Sequence, residues 1–453
     1  KKLSMSEKLK NISEDIITQA KNYGATSVEA IVVDNKALSI EVKNKNLEKI
    51  ENAETLNLGL RVFVGSGSAC VSISSANRKS IEQMALRAVE MAKEATADEF
   101  SLPANEQEIL TIFNTNNYEL CDNTYDELNV EELKRVALEI ESAALAVKDV
   151  SQCEGAGIGT NFSNFHMMAS NGFSSGYKKT NFQLFCSAIA GTNSLMERDY
   201  ASESRTFFED LPDAISIGQL AGNRAVNRLN PQKPLTGSYP VLFDERVSAS
   251  LIGHLTSAIN GAAISRGSSW LRESLNKRVL PASFNLSEDP TRPRIAGSRP
   301  FDAEGLPTSK KNFVEDGILK SLILDLRSAR KLNLAPSGNA YRSLSSAPQP
   351  GPGNLELSSD SKTVLDIIKK IKNGLFVTSL IGSTINQNTG DYSRGANGFW
   401  IQNGEITYPV NECTIAGNLK EMLLNLTAAN DGRKHLSRVI PSLLVENMTI
   451  AGL

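Results

Sequence analysis

The residues with the widest chemical scope in this sequence are its three histidines, His166, His254 and His435. His254 lies in LIGHLTSAINGAAI, residues 251–264, whose apolar spacing predicts an amphipathic helix with Asp244 as its N-cap. A histidine there could bind a metal, transfer a proton or pack as a core residue. At about 100° per residue, His254 falls on the apolar stripe of the helix, without a ligand partner in local reach. We therefore interpret it as a packed, hydrogen-bonded residue.

Other patterns associated with catalysis do not extend this set. The sequence has no GxSxG, no Cys/His signature and no Walker A loop. The glycine-rich NTGDYSRGANGF, residues 388–399, lacks the strand, turn and helix of a phosphate-binding loop, which favours a turn between strands. Asp302 and Glu304 in PFDAEG would share one side of an extended segment and could form an acid/base pair. In a loop flanked by proline and glycine, such carboxylates more often serve as turn or capping groups.

Composition excludes several classes of protein. A formal charge of -3 without a long Lys/Arg cluster argues against direct binding of nucleic acid. The sequence has no apolar run of 18 residues, and its basic start, KKLSMSEKLK, has no apolar core, which predicts a soluble, unexported protein without a membrane segment. The cysteines are odd in number and widely spread, which favours reduced thiols in a cytoplasm over disulfides or a Cys-rich zinc site: Cys70, Cys121, Cys153, Cys186 and Cys413.

The hydrophobic periodicity predicts two α+β units in the N-terminal half, about 6–95 and 130–229. Each reads as helix, β-meander, helix. In the first unit, helices at 6–23 and 78–95 enclose four predicted strands, VEAIVV, ALSIEVKN, TLNLGLRVFV and SACVSISS, with VDNKA as a turn. In the second, helices at 130–147 and 211–229 enclose two, SNFHMMASNGF and YKKTNFQLFCSAIAG.

A second domain is predicted after LNPQKPLTGSYP, residues 229–240, where prolines and glycine interrupt the pattern. The predicted domains are thus 1–229 and 238–453. The C-terminal one reads as β-rich with peripheral helices, and the whole chain as α+β. Its predicted strands are YPVLF, SLILDL, FVTSLIG, GFWIQNGEITYPV and NMTIAG, and SKTVLDIIKKIKN is a predicted helix with KKIK on its solvated face.

Longer blocks of the C-terminal half resemble the PmbA (TldE) branch of the TldD/PmbA family. They are HLTSAINGAAISRGSSWL, PFDAEGLPT, EDGILKSLILDLRSARKLNL, NTGDYSRGANGFWIQNGEITYPVNECTIAGNL and MTIAG. The resemblance covers essentially the whole chain. It implies a cytoplasmic metallopeptidase system, first named as a modulator of DNA gyrase, that processes peptides and small, partly unfolded proteins. In that system a TldD-type subunit carries HExxxH, with two histidines on zinc and glutamate as the base, and the PmbA-type subunit is its partner.

The same resemblance places the metal motif on three residues of this chain. Aligning SRGSSWL, residues 265–271, with the block that follows HExxxH puts the first histidine on Ile252, the glutamate on Gly253 and the second histidine on Ser257. The side chains that bind zinc and act as base are absent from all three positions. The TldD branch also has a cysteine ligand near its C-terminus, whereas PSLLVENMTIAG has none, and Cys413 reads as structural. We therefore expect no catalytic, metal or cofactor residue in this chain, and zinc in its partner.

Three hypotheses for function remain at this point. In the first, the chain is a non-metal subunit that pairs with a TldD-type HExxxH subunit and binds substrate as an added strand. In the second, it is itself a homodimeric metallopeptidase with a site built from His166, His254, His435 or Cys413. In the third, it is a binding module that modulates a target such as gyrase without proteolysis.

Overall fold

The computed structural model describes residues 4–109 and 116–452. Residues 1–3 and 453, at the ends of the two predicted domains, and residues 110–115 lie outside it. The fold is α+β, with one long antiparallel sheet and its helices in the N-terminal half and a β-rich C-terminal half. Within the described ranges, no helix has both the length and the apolar character needed to cross a membrane.

In the N-terminal half, the order helix, three strands, helix occurs twice. The first set is α1 (Met5–Asn22), β1 (Ser27–Lys43), β2 (Asn46–Val64), β3 (Gly67–Ile73) and α2 (Arg78–Glu94). The second set is α3 (Val130–Leu145), β4 (Val150–Ala169), β5 (Ser174–Ala190), β6 (Glu197–Arg205) and α4 (Ala214–Asn227). The four predicted helices are confirmed, because their apolar stripes cover the sheet and side-chain caps fix where they begin.

The two sets share one six-stranded sheet, in the order β3-β2-β1-β4-β5-β6. β1 and β4 pair antiparallel at its centre. Helices α1 and α2 bury one apolar cluster against β1, β2 and β3, and α3 and α4 bury a second against β4, β5, β6 and the C-terminal end of β1. The pair α3 and α4 packs so closely that a Cβ on Gly218 would lie 2.1 Å from the Ile140 carbonyl oxygen.

Two strand predictions in this half were wrong. VEAIVV and ALSIEVKN form the single strand β1, because both neighbours pair with it through the predicted turn: Asp34 lies opposite Leu56 of β2 and Asn164 of β4. The six-stranded sheet also includes β6, which was not predicted from the sequence. Its sequence, ERDYASESR, lacks the apolar alternation of a covered strand because β6 is an edge strand.

The C-terminal half is built from short elements and one larger sheet. Its helices are α5 (Glu245–Ala258), α6 (Gly261–Ser265), α7 (Leu326–Leu332), α8 (Val364–Ile368) and α9 (Leu419–Leu424). Its strands are β7 (Gly237–Phe243), β8 (Leu286–Glu288), β9 (Lys311–Glu315), β10 (Ile318–Leu319), β11 (Ala340–Tyr341), β12 (Gln349–Pro350), β13 (Leu355–Leu357), β14 (Asn373–Ile385), β15 (Asp391–Gln402), β16 (Glu405–Asn418), β17 (Leu426–Ala428), β18 (Arg438–Val439) and β19 (Leu443–Ala451).

These strands form a six-stranded sheet, β16-β15-β14-β7-β19-β17, a five-stranded sheet, β10-β9-β8-β13-β18, and the pair β11-β12. The largest apolar cluster of the protein lies among them. Two strand predictions were wrong here. SLILDL is a buried irregular segment that leads into α7, whose N-cap is Asp325, and GFWIQNGEITYPV is divided between β15 and β16 by a turn at residues 403–404. The helix predicted at SKTVLDIIKKIKN is present but shorter, as α8. The lysines beside α8 are exposed, as predicted for KKIK.

The two halves meet across apolar and charged contacts. Side chains from both halves form one buried cluster, which includes Ile31, Phe173, Phe301 and Leu306. Beside it, Glu29 of β1 accepts from Arg61 of β2 at 3.4 Å and from Arg342, which follows β11, at 2.7 Å. All three side chains are at most 2% exposed. This group of Glu29, Arg61 and Arg342 is called the interface charge cluster below.

Candidate functional site

A cleft of about 840 Å³ lies where the two halves of the molecule face each other. One wall is the N-terminal sheet at residues 196–200 of β6 and just before it, and another is the first turns of α5, at Val247 and Ser250. The third wall is residues 378–381 of β14, with Arg394 and Asn397 of β15. The cleft therefore draws its lining from segments that are far apart in the sequence.

In the β14 wall, part of one strand edge pairs with no other strand of the described chain. β7 covers β14 only from Leu375 to Val377, because β7 ends at Phe243 and the chain turns into α5. Beyond that point, residues 378–385 pair within the described structure with β15 alone. Unpaired main-chain groups of this kind can accept an added strand.

Most of the charges in the cleft pair with each other. Asp199 lies 3.4 Å from Arg246 and 3.9 Å from Arg228, measured between oxygen and Nη1 atoms. Arg228 also approaches Glu197 at 3.7 Å. Arg198 turns to Glu154 of β4, at 3.0 Å. These ion pairs leave the guanidinium of Arg394 as the cation of the cleft that pairs with no carboxylate in residues 4–109 and 116–452.

A β-bulge holds Arg394 in place. The register between β14 and β15 shifts between Ile381 and Thr384, and Gly382 within this bulge has φ +63°. That conformation favours glycine and directs the Gly382 carbonyl so that it accepts a 2.7 Å hydrogen bond from Arg394 Nε. The bulge thereby fixes the guanidinium beside Gly382, where the cleft-lining part of the unpaired edge, residues 378–381, ends.

His254 lies beside this arginine, as part of a small aromatic group. Its ring contacts the Tyr392 ring edge to face, with 5.8 Å between centroids. The packing predicted for His254 is confirmed, but the predicted hydrogen bond is not, because its Nε2 is buried without a partner among the described residues. Burial, and then the charge of Arg394, lower the pKa of His254, whereas burial raises the pKa of Tyr392 to about 12. Both side chains are therefore neutral at pH 7.

The three positions matched to HExxxH lie on the same helix, α5, in different environments. Ile252 is 1% exposed and belongs to the main apolar core. Gly253 is half-buried, and a Cβ added there would meet no atom within 4 Å. Ser257 is exposed. An isoleucine packed in the core, a glycine and a serine do not fit the donor set of a zinc site, which uses imidazole, thiolate or carboxylate groups.

The other residues considered for a site have separate surroundings. His166 lies between Ser13 (3.1 Å) and Ser174 (3.3 Å), and burial lowers its pKa to about 4. His435 Nε2 contacts Glu203 at 3.2 Å. The buried Cys413 thiol donates to a backbone carbonyl at 3.3 Å, and burial raises its pKa to about 11. In the described part of the chain, no group of three His, Cys, Asp or Glu side chains is arranged to hold a metal ion.

Asp302 and Glu304 organise loops, as the turn and capping interpretation predicted. Asp302 accepts backbone N–H groups from Glu304 at 2.9 Å and from Leu306 and Ala340 at 3.0 Å. Glu304 accepts the Leu326 N–H at the start of α7. Burial raises the pKa of both carboxyls. In the glycine-rich segment 388–399, only residues 388–390 form the predicted turn between strands, and the rest of the segment lies in β15.

Comparison with known proteins identifies the family. Family descriptions match in sequence order: PmbA/TldA metallopeptidase domain 1 at 28–92, the central domain at 123–229 and the C-terminal domain at 236–452. Metalloprotease PmbA of Escherichia coli O157:H7 is 32% identical over 457 residues, covering 100% of this chain and 99% of that protein. The fold and these matches define a metallopeptidase-type protein. The chain belongs to the PmbA/TldD metallopeptidase family, as a PmbA-type member.

Solved structures agree with this assignment. A protein of Bacteroides thetaiotaomicron named for modulation of DNA gyrase superposes with a TM-score of 0.90 at 25% identity, covering 98% of this chain and 99% of that one. TldE of Thermococcus kodakarensis has the same fold, with a TM-score of 0.85 at 18% identity, covering 97% of this chain and 100% of that one.

Proposed function

We propose that this chain is the non-catalytic subunit of a two-subunit metallopeptidase. Its partner is a TldD-type subunit whose HExxxH motif holds the zinc, and the two act together in the cytoplasm on peptides and small unfolded proteins. The observation that carries the proposal is the set of residues at the matched positions: Ile252 in the apolar core, Gly253 without a side chain and Ser257 as a lone hydroxyl. None supplies a zinc ligand of the usual kinds or a general base.

The contribution of this subunit is to bind substrate in the cleft. The free edge at residues 378–385 offers main-chain donors and acceptors to an extended peptide. Such pairing tolerates varied side chains, which suits a peptidase that acts on unfolded chains. The segments 1–229 and 238–453 act as the two domains that bring the walls of the cleft together.

The test is a reconstitution with the HExxxH-bearing sister from the same organism. Cleavage of a fluorescent unfolded protein is measured with this chain alone, with the sister alone and with an equimolar mixture. We expect negligible cleavage by this chain and a gain of at least about tenfold for the mixture over the sister, the factor that corresponds to 1.4 kcal/mol. A sister variant with glutamine in place of the motif glutamate is the inactive control.

Two results would contradict the proposal. If the sister cleaves equally well with and without this chain, the subunit role fails. If this chain cleaves alone and loses activity when His166, His254, His435 or Cys413 is replaced, it is a peptidase in its own right.

A further inference from the structure

The cleft holds one cation, Arg394, that has a fixed position and no ion-pair partner among the described residues. Arg394 lines the cleft, makes no ion pair with a described carboxylate and donates from Nε to the Gly382 carbonyl at 2.7 Å. This contact holds the planar group, and its two Nη atoms have no anionic partner among the described residues. The neighbouring Arg228 and Arg246 differ, because Arg228 pairs with Glu197 and Asp199, and Arg246 pairs with Asp199 and Asp244.

The surroundings of Arg394 add to its capacity for an anion. Tyr392 Oη and His254 Nε2 are buried without a well-formed hydrogen bond to any described residue. Arg394 lies close enough to act on the pKa of both groups. A buried polar atom without a partner is costly in a folded protein, and such atoms often mark a place that a water or ligand completes.

We infer that Arg394 binds a carboxylate of the peptide that occupies the cleft, an inference that rests on the proposed function. Guanidinium binds carboxylate through two parallel N–H···O hydrogen bonds, the strongest common pairing of this kind. Gly382 directly follows the residues of β14 that line the cleft, 378–381, so the guanidinium stands at the end of the part of the unpaired edge that faces the cleft. A peptide added along that edge therefore brings one of its ends, or an acidic side chain near that end, to Arg394.

The charge of the cleft selects a small anion. Glu197 and Asp199 lie in the same lining as Arg394. They would repel a polyanion such as a nucleic acid, whereas a single carboxylate needs only one unpaired cation. The carboxylate has two sources in a peptide, the C-terminal α-carboxylate and an aspartate or glutamate side chain.

Three peptides that differ only near the C-terminal end distinguish these two sources of the carboxylate. The probe is an N-terminally fluorescein-labelled octapeptide of valine, threonine and serine with a free C-terminal carboxylate. The second peptide is its C-terminal amide, and the third is an amide with one aspartate next to the end. Binding to the full chain is measured by fluorescence anisotropy. We expect the free acid to bind at least about tenfold more tightly than the amide, as loss of a charge-assisted hydrogen bond implies. Recovery of affinity in the third peptide would identify a side-chain carboxylate as sufficient.

Variants then assign the difference to Arg394. With Arg394→Gln, the preference for acid over amide falls to about onefold while the affinity for the amide is unchanged. Arg394→Lys keeps the charge without the planar fork and retains part of the preference. Arg135→Gln removes an equal charge from the exposed face of α3 and leaves the preference intact. A merely structural role for Arg394 would weaken binding of the acid and the amide equally.

The outcomes distinguish this inference from the proposed function. If acid and amide bind equally well to the unaltered chain, Arg394 is not a carboxylate receptor, and the substrate-binding role of the subunit stands. If none of the peptides binds, in the chain alone or with the sister, both the inference and the substrate-binding role are overturned.

Discussion

Two arginine-bearing regions of this molecule show how similar side chains serve different purposes. In the interface charge cluster, Arg61 and Arg342 are at most 2% exposed and share the carboxylate of Glu29. In the cleft, Arg394 is partly exposed and lacks a carboxylate partner among the described residues. A buried cation needs a counter-charge, so the fold requires Glu29 to hold Arg61 and Arg342 in the interior. In the second region, an anion from outside the chain can supply the counter-charge of Arg394.

Glu29→Gln should produce the largest effect. It leaves two buried guanidinium groups facing a neutral amide, and breaking a buried pair in this way costs about 3–5 kcal/mol. We expect this loss in the free energy of unfolding, measured by urea denaturation. Glu154→Gln, in the exposed pair with Arg198, is the matched control and should cost less than about 1 kcal/mol. A similar small loss for Glu29→Gln would show that the interface cluster contributes no more than a surface pair.

Acid should destabilise the protein through His166. Its pKa is lowered from 6.5 to about 4 in the folded chain, so the unfolded chain takes up the proton first. The stabilising contribution is present above pH 6.5 and is lost as the pH falls from 6.5 towards 4, by about 3 kcal/mol in total.

Replacement of His166 isolates this contribution. His166→Gln should flatten the dependence of unfolding free energy on pH in that window, compared with the unaltered chain. An unchanged slope would mean that other groups carry the acid sensitivity.

A methyl side chain should be tolerated at Gly253 in α5, the helix that forms one wall of the cleft, but not at Gly218 in α4. Gly253→Ala adds a Cβ into open space within a helix and should stabilise the protein by about 0.5–1 kcal/mol. Gly218→Ala is the same exchange in α4, where the Cβ would meet the Ile140 carbonyl oxygen at 2.1 Å, and should destabilise it. Thermal denaturation of both variants checks the contrast, which two shifts of the same sign would contradict.

The smallest expected effect on stability belongs to Arg394. Because its guanidinium lies at the cleft surface, Arg394→Gln should change the unfolding free energy by no more than about 0.5 kcal/mol. Urea denaturation of Arg394→Gln and Glu29→Gln under the same conditions compares their losses of unfolding free energy. A loss of 2 kcal/mol or more, as an order-of-magnitude threshold, would show that Arg394 mainly supports the bulge at Gly382.

The sequence predicted the helices of the N-terminal half because each buries one regular apolar stripe. It did not predict where strands continue or end. Aspartate and asparagine are frequent in turns, yet Asp34 and Asn35 lie within β1 because strands on both sides pair with them. The apolar segment SLILDL has the composition of a strand, but Asp325 caps α7 there and ends any extended run. Pairing partners and caps outweigh local propensity at these positions.

The candidate site was only partly accessible from the sequence. The family resemblance directed attention to α5 and to the residues that replace the metal motif, and the structure places that helix in the wall of the cleft. The sequence did not indicate a binding role for Arg394, since one arginine in a glycine-rich segment resembles any exposed turn residue. Its significance depends on ion pairs that its neighbours form and on where β7 ends, and both are properties of the folded chain.

The zinc content of the purified proteins tests the central claim most directly. Zinc is measured per polypeptide, after dialysis without chelator, in this chain alone and in its equimolar complex with the HExxxH-bearing sister. The account predicts near-zero zinc in this chain and about one zinc per pair in the complex, since Ile252, Gly253 and Ser257 supply no usual zinc ligand. About one tightly held zinc in this chain alone would contradict it.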